Sequence, residues 1–399
     1  MTRAMLERAF RRALARIDLS AMVHHAVGTS VPRSGEVDVL AIGKAAPTML
    51  SGALGALGTR AGRVLGIVPD GLSVRMRDVE LLRAAHPLPD ARSVRAAERA
   101  LSFVASARSG VVLVLVSGGA SSLVSAPYGM SLARKVEITR ALLHASVTIS
   151  DVNTVRRHLS WIKGGGLARE ARVPLVTIIA SDVIAGGPHD VGSGPSVADP
   201  TTCEDARNIL ERHLHMHPRL RETLDPGAPG SPRPRVRVVV SPHVLARAVA
   251  RELERIGFHT RILPARTHDV SRFAADYARL ASRLGPQEAL VRAAEPTVSI
   301  DVARPGQGGR ASHLASLVAR SLPQGVAFLA GASDGVDGSS RAAGAVVDAD
   351  FGSRLGAAAI DAALAAFDTA HLHSLAGTAI VNGPTGHNLA DVHVLARLR

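Results

Sequence analysis

Short apolar runs that end abruptly in a polar loop recur along the chain. Each run consists mainly of Val, Ile, Leu and Ala, as buried β-strands do, and the loop that follows is rich in Gly, Ser, Asp or Pro. The runs occupy residues 37–47, 111–122, 173–183, 236–243, 325–338 and 378–388. Each one predicts a strand that leads into a loop.

Helical patterns lie between several of these strands. Asp90 supplies a helix start, and apolar residues then recur at helical spacing as far as residue 107. A second helix is predicted over 245–256. This alternation favours an α/β fold with a parallel, doubly wound sheet, in which ligands bind at the carboxyl ends of the strands. Polar residues follow nearly every predicted strand, so the pattern indicates an enzyme.

The chain is too long for one ordinary domain, since it has 399 residues. Pro and Gly dominate residues 226–235, where no periodic pattern survives. We place a linker there and predict domains over 1–228 and 236–399. At the N-terminus, apolar residues recur at helical spacing from Leu6 to Ile17, which indicates an amphipathic helix rather than a transit peptide.

Composition narrows the class of protein. The net charge is +13, but 44 of the 47 basic residues are arginines and acidic residues are interspersed among them, which argues against a nucleic-acid partner. An electropositive cleft for anionic substrates fits better. A single cysteine, Cys203, excludes an internal disulfide and indicates a reducing, cytoplasmic location. No apolar stretch is long enough to predict a membrane span.

Gly43–Lys44 follows the first predicted strand and opens a helical segment. An ammonium group at that position can neutralise a phosphoryl group in transit. The alternative is a solvated lysine that happens to start a helix. The chain uses arginine almost everywhere and retains lysine only at 44, 135 and 163, which favours a site that needs a compact point charge.

Two further segments combine polar side chains with glycines. Residues 117–122 read SGGASS, a composition suited to an anion-binding nest, although a plain Gly-rich turn remains open. The segment matches neither a Walker A sequence nor G-x-S-x-G. In 151–169, Asn153 and Arg156 share a helix face, and Lys163 precedes three glycines. A solvated polar face is the alternative for this helix.

Candidate carboxylates and a candidate phosphate clamp follow other strands. Asp182 ends one strand, where it can hold Mg²⁺ through water, orient a substrate hydroxyl or simply cap a helix. Asp334 and Asp337 lie in a Gly-rich loop, at a spacing that suits oxygen ligation of a metal–nucleotide complex. Arg310 follows a glycine pair at a predicted helix start, where it can bind phosphate or carboxylate.

The ordered set of motifs resembles the glycerate 2-kinase family that carries a C-terminal MOFRL domain, whose members are often labelled hydroxypyruvate reductase. The resemblance runs from about residue 38 to 393. Its motifs are IGKAAP, HPLPD, VSGGASSLVSAP, VNTVRRHLSWIKGGGLA, SDV, SGPSVADPTT, QGGRASHLA, SDGVDGSSRAAGAVVD and NGPTGHNLADV.

This resemblance implies a larger Rossmann-like N-terminal domain and a smaller C-terminal α/β domain, with the active site in the cleft between them. It implies ATP and Mg²⁺, and D-glycerate, or a related small 2-hydroxy acid, phosphorylated at its 2-hydroxyl. The lysine and the arginine that are regarded as active-site residues in the family fall on Lys44 and Arg310.

Several family positions are substituted in this chain. The acidic pair expected after SDV is replaced by residues 185–188, AGGP, and AAEPTV retains Glu295 but loses two glycines. Residues 311–313 read ASH instead of NQE, and Asn382 and His387 replace threonines. We interpret this as retained phosphoryl-transfer machinery with an altered substrate or nucleotide pocket.

The resulting prediction is an ATP-dependent kinase with four groups of site residues. Lys44, Arg310 and Asp182 are catalytic; Ser117, Gly118, Gly119, Ser121, Ser122, Lys163 and Asn388 bind nucleotide or phosphate; Asn153, Arg156 and Glu295 bind the acceptor; Asp334 and Asp337 bind the metal.

Two other functions stay open at this point. A non-catalytic relative that binds a nucleotide or phospho-ligand would account for the substitutions. An NAD(P)-dependent hydroxypyruvate reductase would need a G-x-G-x-x-G fingerprint, which IGKAAPTML lacks. A homodimer is compatible with the sequence.

Overall fold

The computed structural model describes residues 2–145, 147–184, 186–227, 234–383, 385 and 388–398. Ala185, His387 and residues 228–233 of the predicted linker lie outside these ranges, so the linker stays a prediction. The helices are α1 (Thr2–Ala15), α2 (Leu19–Ser30), α3 (Ala46–Leu57), α4 (Ala91–Ala105), α5 (Ala120–Leu123), α6 (Leu132–His144), α7 (Ile149–His158), α8 (Gly166–Glu170), α9 (Cys203–Leu214), α10 (Pro242–Glu254), α11 (Val270–Ala281), α12 (Arg310–Ala319), α13 (Ala349–Leu355), α14 (Ala357–Ala365) and α15 (Thr369–Leu375). The strands are β1 (Val37–Ile42), β2 (Ala61–Pro69), β3 (Glu80–Ala84), β4 (Val111–Ser117), β5 (Leu175–Ala180), β6 (Arg235–Val240), β7 (His259–Ile262), β8 (Arg266–Asp269), β9 (Glu288–Thr297), β10 (Val326–Ala332), β11 (Gly344–Asp348), β12 (Ala379–Ile380) and β13 (Asp391–Arg397).

The first sheet has the strand order β3-β2-β1-β4-β5-β6. Its pairings from β3 to β5 are parallel. β1, β4 and β5 are buried along their whole length, as continuous apolar runs covered by helices on both faces must be. The doubly wound, Rossmann-like prediction is confirmed for this sheet, and the strand order reverses between β1 and β4, where such folds bind ligands.

The second sheet has the order β12-β11-β10-β13-β9-β7, with β8 also paired to β9. β13 lies antiparallel between β10 and β9, and β11 is antiparallel to β10. Only the β7 and β8 pairings with β9 are parallel. The expectation of a parallel sheet is therefore wrong here, because β13 pairs antiparallel with both β9 and β10 and separates these two strands, and β11 and β12 continue the sheet in antiparallel pairs.

The chain divides into two compact units, which differ from the predicted domains in three segments, residues 1–18, 182–185 and 236–239. One unit is Leu19–Ser181 with Gly186–Val239, and the other is Met1–Asp18, Asp182–Ala185 and Val240–Arg399. α1 groups with the C-terminal residues because its apolar face, including Leu6 and Phe10, is buried against α10 and β10.

The other helix predictions agree closely with the structure. α4 begins after Asp90, whose carboxylate accepts the N–H of Arg92 at 2.8 Å as an N-cap. Within the described ranges, no helix is long and apolar enough to cross a membrane.

Candidate active site

Lys44 stands in the loop between β1 and α3, where its side chain is exposed. Its backbone N–H donates to Gly118 O at 2.9 Å, and the N–H of Ala45 donates to Ser117 Oγ at 3.1 Å. A Cβ atom at Gly43 would lie 2.1 Å from Ser117 Oγ, and its φ is +135°, so this close approach requires glycine. The loops after β1 and β4 are thus tied together, with Lys44 presented at the carboxyl edge of the sheet.

The serines of the SGGASS loop divide into internal and cavity-facing groups. Ser117 and Ser122 are buried. Ser117 accepts from Ala45, while Ser122 Oγ donates to Gly119 O at 3.0 Å and lies 3.0 Å from His86 Nδ1. Both hydroxyls thus take part in bonds within the loops, and their role in binding nucleotide or phosphate stays a prediction.

Gly118 and Gly119 are partly exposed, and Gly119 has a φ of +87° at the start of α5. The side chain of Lys44 passes over Gly119, because a Cβ atom there would lie 3.2 Å from Lys44 Cγ. His86 lies at the same place, 3.6 Å from that Cβ position. Burial, followed by the charge of Lys44, lowers the pKa of His86. The imidazole is therefore kept neutral beside the lysine.

Ser121 joins the two cations predicted in the 151–169 segment. Its Oγ accepts from Arg156 Nη2 at 2.6 Å and from Lys163 Nζ at 3.0 Å, and it lies 3.0 Å from Ser193 Oγ. Lys163 is buried and also donates to Ser121 O at 2.7 Å. Asn153 is nearly buried on α7, with Oδ1 3.5 Å from Arg156 Nη1. Four of the predicted residues are thus brought together.

Arg310 begins α12 in the other unit, and Asp391 holds its guanidinium. Arg310 Nε and Nη2 each donate to one carboxylate oxygen of Asp391 at 2.9 Å. Asp391 is fully buried, and burial raises its pKa to about 7 although the positive charge of Arg310 opposes the shift. The bidentate pair fixes the plane of the guanidinium and leaves Nη1 pointing away from Asp391.

Of the predicted carboxylates, Glu295 lies near Nη1 of Arg310, and Asp334 lines the same cavity as Arg310. Glu295 Oε1 is 3.9 Å from Nη1. Burial raises the pKa of this half-exposed residue; the positive charge of Arg310 opposes the rise, and the negative charge of Asp182 adds to it. Asp334 is exposed in the loop after β10, and its Oδ1 accepts the N–H of Val336 at 3.0 Å. Asp182, just after β5, is half-buried.

Asp337 has a different role from its sequence neighbour Asp334. It is buried, and its two carboxylate oxygens accept the N–H groups of Ala311 and Ser312 at 2.9 and 2.8 Å. It therefore satisfies the first turn of α12, where a negative charge is favoured. Burial raises its pKa. Both oxygens are thus hydrogen-bonded inside the fold, and the metal-binding role of Asp337 stays a prediction that no described contact tests.

A cavity of about 570 Å³ lies beside Arg310 and Asp334. Glycines form part of its wall, and the ring of His313 stacks on that of Phe367 at a centroid distance of 5.1 Å. Apolar side chains complete the lining with Val298, Ile300 and Val336. His313 occupies one of the substituted family positions, so that substitution changes the wall of this cavity.

Asn388 is exposed in the segment that leads into β13. The next residue, Leu389, donates its N–H to Ser333 Oγ at 2.7 Å, which places the segment beside the end of β10. No described contact gives Asn388 a ligand-binding role, so that role stays a prediction.

Sequence reasoning missed three residues of these sites: His86, Lys135 and Asp391. His86 and Asp391 lie within the HPLPD and NLADV motifs, which were visible but had no assigned chemistry. Lys135 is one of only three lysines in an arginine-rich chain, and this was the available signal.

The fold and these loops define an α/β enzyme with an exposed lysine, Lys44, at the carboxyl edge of its first sheet and an arginine, Arg310, held by a buried carboxylate at the start of α12. A family profile described as a domain of unknown function (DUF4147) matches residues 5–225, and the MOFRL family profile matches residues 288–391. The chain therefore belongs to the glycerate 2-kinase family with a C-terminal MOFRL domain.

Individual relatives agree with this assignment. A glycerate 2-kinase of Pyrococcus horikoshii is 32% identical, over 90% of this chain and 86% of its own length. A protein of Agrobacterium vitis that bears the name hydroxypyruvate reductase is 36% identical, over 82% of this chain and 79% of its own. The crystal structure of a glycerate kinase from Thermotoga maritima superposes with a TM-score of 0.87 at 25% identity, covering 100% of this chain and 99% of that one.

Proposed function

We propose that the protein transfers the γ-phosphoryl group of ATP to the 2-hydroxyl of D-glycerate or a related small 2-hydroxy acid. The observation that carries this proposal is the geometry of Arg310. Asp391 holds two of its nitrogens, and the guanidinium lines a cavity of about 570 Å³ together with Asp334. An arginine fixed in this way can stabilise the charge of a transferred phosphoryl group.

The cavity beside Arg310 suits a nucleotide. Its volume falls within the range of roughly 300–1,000 Å³ that is typical of small-molecule sites. Its wall combines apolar side chains and the stacked His313–Phe367 pair, which suit a base, with Gly308 and Gly309 next to Arg310, which allow phosphates a close approach.

In the proposed reaction, the acceptor hydroxyl oxygen forms a bond to the γ-phosphorus while the bond to the β–γ bridging oxygen breaks, and ADP leaves. Lys44 and Arg310 stabilise the charge that develops on the phosphoryl oxygens. Asp182 accepts the proton of the attacking hydroxyl. Asn153, Arg156 and Glu295 are proposed to bind the acceptor.

Mg²⁺ is the metal that nucleotide phosphates require in this chemistry, and it would neutralise their charge. Asp334 fits this role because it is exposed on the wall of the same cavity as Arg310, and carboxylate oxygens are the ligands that Mg²⁺ prefers. Asp337 is left out of this metal site, because its carboxylate oxygens accept two N–H groups of α12.

A reducing compartment such as the cytoplasm is proposed from the free, buried thiol of Cys203. Burial raises the pKa of this thiol to about 12, which keeps it unreactive.

An acceptor screen tests the proposed function. ADP release is measured with D-glycerate and other 2-hydroxy acids in the presence of ATP and Mg²⁺, and NADPH consumption with hydroxypyruvate is followed in parallel. Lys44→Ala and Arg310→Ala are each expected to lower kcat by about 100-fold or more, as the loss of a transition-state donor does. Arg320→Ala, which removes an exposed arginine at the other end of α12, is the matched control. Absence of ATP turnover with every acceptor would refute the proposal.

A further inference from the structure

A second cavity, of about 240 Å³, lies in the unit that contains the first sheet. Four cationic residues line it, Lys135, Arg140, Arg156 and Lys163, together with the hydroxyl residues Ser121, Ser125 and Thr139. The rest of the lining is apolar, with Pro87, Leu88, Pro89, Val136 and Leu143. Leu88 and Leu143 are half-exposed, so they form the rim. No carboxylate is among the described residues that line this cavity.

Lys135 is the unusual member of this group. It is 5% exposed on α6, and its Nζ has no hydrogen-bond partner among the described residues. Burial, followed by the charge of Arg156, lowers its pKa to about 7. The pKa of Lys163 is lowered by burial, Arg156 and Lys135 in that order. A buried ammonium group without hydrogen bonds is costly, and such groups are normally paired.

The neighbouring arginine on α7 shows how this fold compensates a buried cation that has no ligand to bind. Arg157 is 1% exposed, and it pairs with Asp190 and Asp199 at 3.0 Å each. Arg156, one residue earlier, instead donates to the neutral Ser121 Oγ. The fold therefore pairs Arg157 with carboxylates, whereas the hydrogen bonds of Arg156 and Lys163 within the described ranges go to neutral oxygens.

We propose that this cavity binds the carboxylate of the acceptor acid, with Lys135 as a binding residue beside Arg156 and Lys163. The assignment rests on the proposed kinase function. The cavity is smaller than the roughly 300 Å³ at which typical small-molecule sites begin, which suits an acid of a few carbon atoms and excludes a nucleotide. The unpartnered Nζ of Lys135 supplies the hydrogen bonds that a carboxylate accepts.

Thermal unfolding of the full chain without nucleotide tests binding directly. Sodium D-glycerate is expected to raise the Tm of the wild type, whereas glycerol, which lacks the charge, is not. Sodium phosphate at equal ionic strength is the competing anion. In Lys135→Met the glycerate-dependent shift is expected to disappear, while the Tm without any acid stays equal or rises because an uncompensated cation has been removed. Arg134→Met, an exposed position on the same helix, is the matched control.

Steady-state kinetics supply the second readout. Lys135→Met is expected to raise the KM for D-glycerate by about tenfold or more, as the loss of a charged hydrogen bond does, and to leave the KM for ATP within about twofold. Lys135→Arg, which retains the charge, is expected to restore part of the affinity.

The outcomes separate this inference from the proposed function. The carboxylate site is overturned if D-glycerate still raises the Tm of Lys135→Met. It is also overturned if phosphate raises the Tm of the wild type and D-glycerate does not. Glycerate binding that depends on Lys135 without any ATP turnover supports the site and contradicts the kinase function. Turnover with an unchanged KM in Lys135→Met supports the kinase function and contradicts the site.

Discussion

Replacing Asp391 by Asn is expected to release Arg310 from its fixed orientation. Asn keeps the shape of Asp391 but presents an NH₂ group to one of the two guanidinium nitrogens that now donate at 2.9 Å. A hydrogen bond to a charged group contributes about 1.5–3 kcal/mol. If transition-state binding loses one such bond, kcat/KM falls by roughly 10- to 100-fold, since about 1.4 kcal/mol corresponds to a factor of ten.

The expected loss of stability is smaller than the loss of activity. Breaking a buried ion pair costs about 3–5 kcal/mol when the remaining charge stays buried. Arg310, however, is 36% exposed, so water can solvate it again. We expect the free energy of unfolding to fall by about 1–2 kcal/mol in urea titrations.

Asp361→Asn is the matched control, because it also removes the carboxylate partner of an arginine, at the other end of α12. Asp361 Oδ1 lies 3.3 Å from Arg320 Nη1 and the Asp361 side chain is 50% exposed, so its loss is expected to leave kcat/KM within about twofold. Equal falls of kcat/KM in Asp391→Asn and Asp361→Asn would refute the idea that Asp391 holds Arg310.

The pH profile provides an independent check. The pKa of Asp391 is raised to about 7, and only its ionised form accepts both bonds from Arg310. The ionised fraction falls as the pH drops below about 7, so wild-type kcat/KM is expected to fall on the acid side. Asp391→Asn is expected to lack this acid limb. An identical acid limb in the two proteins would assign the titration to another group.

Three further predictions follow from the loops and cavities. Gly43→Ala places a Cβ atom 2.1 Å from Ser117 Oγ at a φ of +135°, so it should lower the free energy of unfolding by about 1–3 kcal/mol and reduce kcat. Gly28→Ala, whose Cβ atom would have no atom within 4 Å, is the control and should leave the unfolding temperature in differential scanning calorimetry unchanged. Asp337→Ala removes the acceptors of two N–H groups of α12 and should lower the free energy of unfolding by about 1–2 kcal/mol, measured in urea. Affinity for D-glycerate should fall as the pH rises through about 7, because Lys135, whose pKa is lowered to about 7, loses its proton. Equal affinities measured by calorimetry at pH 6 and pH 9 would contradict this.

The hydrophobic pattern predicted β1, β4, β5 and β6 of the first sheet but not β2 and β3, which are less completely buried. β1, β4 and β5 are continuous apolar runs because both of their faces are buried, and each run ends where the side chains must meet solvent or ligand. Lys44 could be located for the same reason, since it follows such a run directly. β13 was not predicted as a strand, and its antiparallel pairing could not have been predicted either, because a buried strand has the same apolar pattern in either direction.

The two aspartates of the SDGVDG loop show a second limit. Asp334 and Asp337 are the same residue type in the same loop, and the carboxylate of either one suits a metal. Which one turns inward depends on the N–H groups of Ala311 and Ser312, which come from a helix that precedes the loop by about 25 residues. The partnership of Arg310 with Asp391 spans 81 residues, and no local pattern connects the two positions.

Two hydrogen bonds join the loop after β1 to the loop after β4, so the two loops are expected to move together. The N–H groups of Lys44 and Ala45 are both engaged by the opposite loop, so a displacement of either loop is transmitted to the other. Substitutions in the two loops should therefore show epistasis, in which the second change adds little once the first has been made. During divergence of related chains, the glycine at 43 and the serine at 117 would be replaced together or not at all.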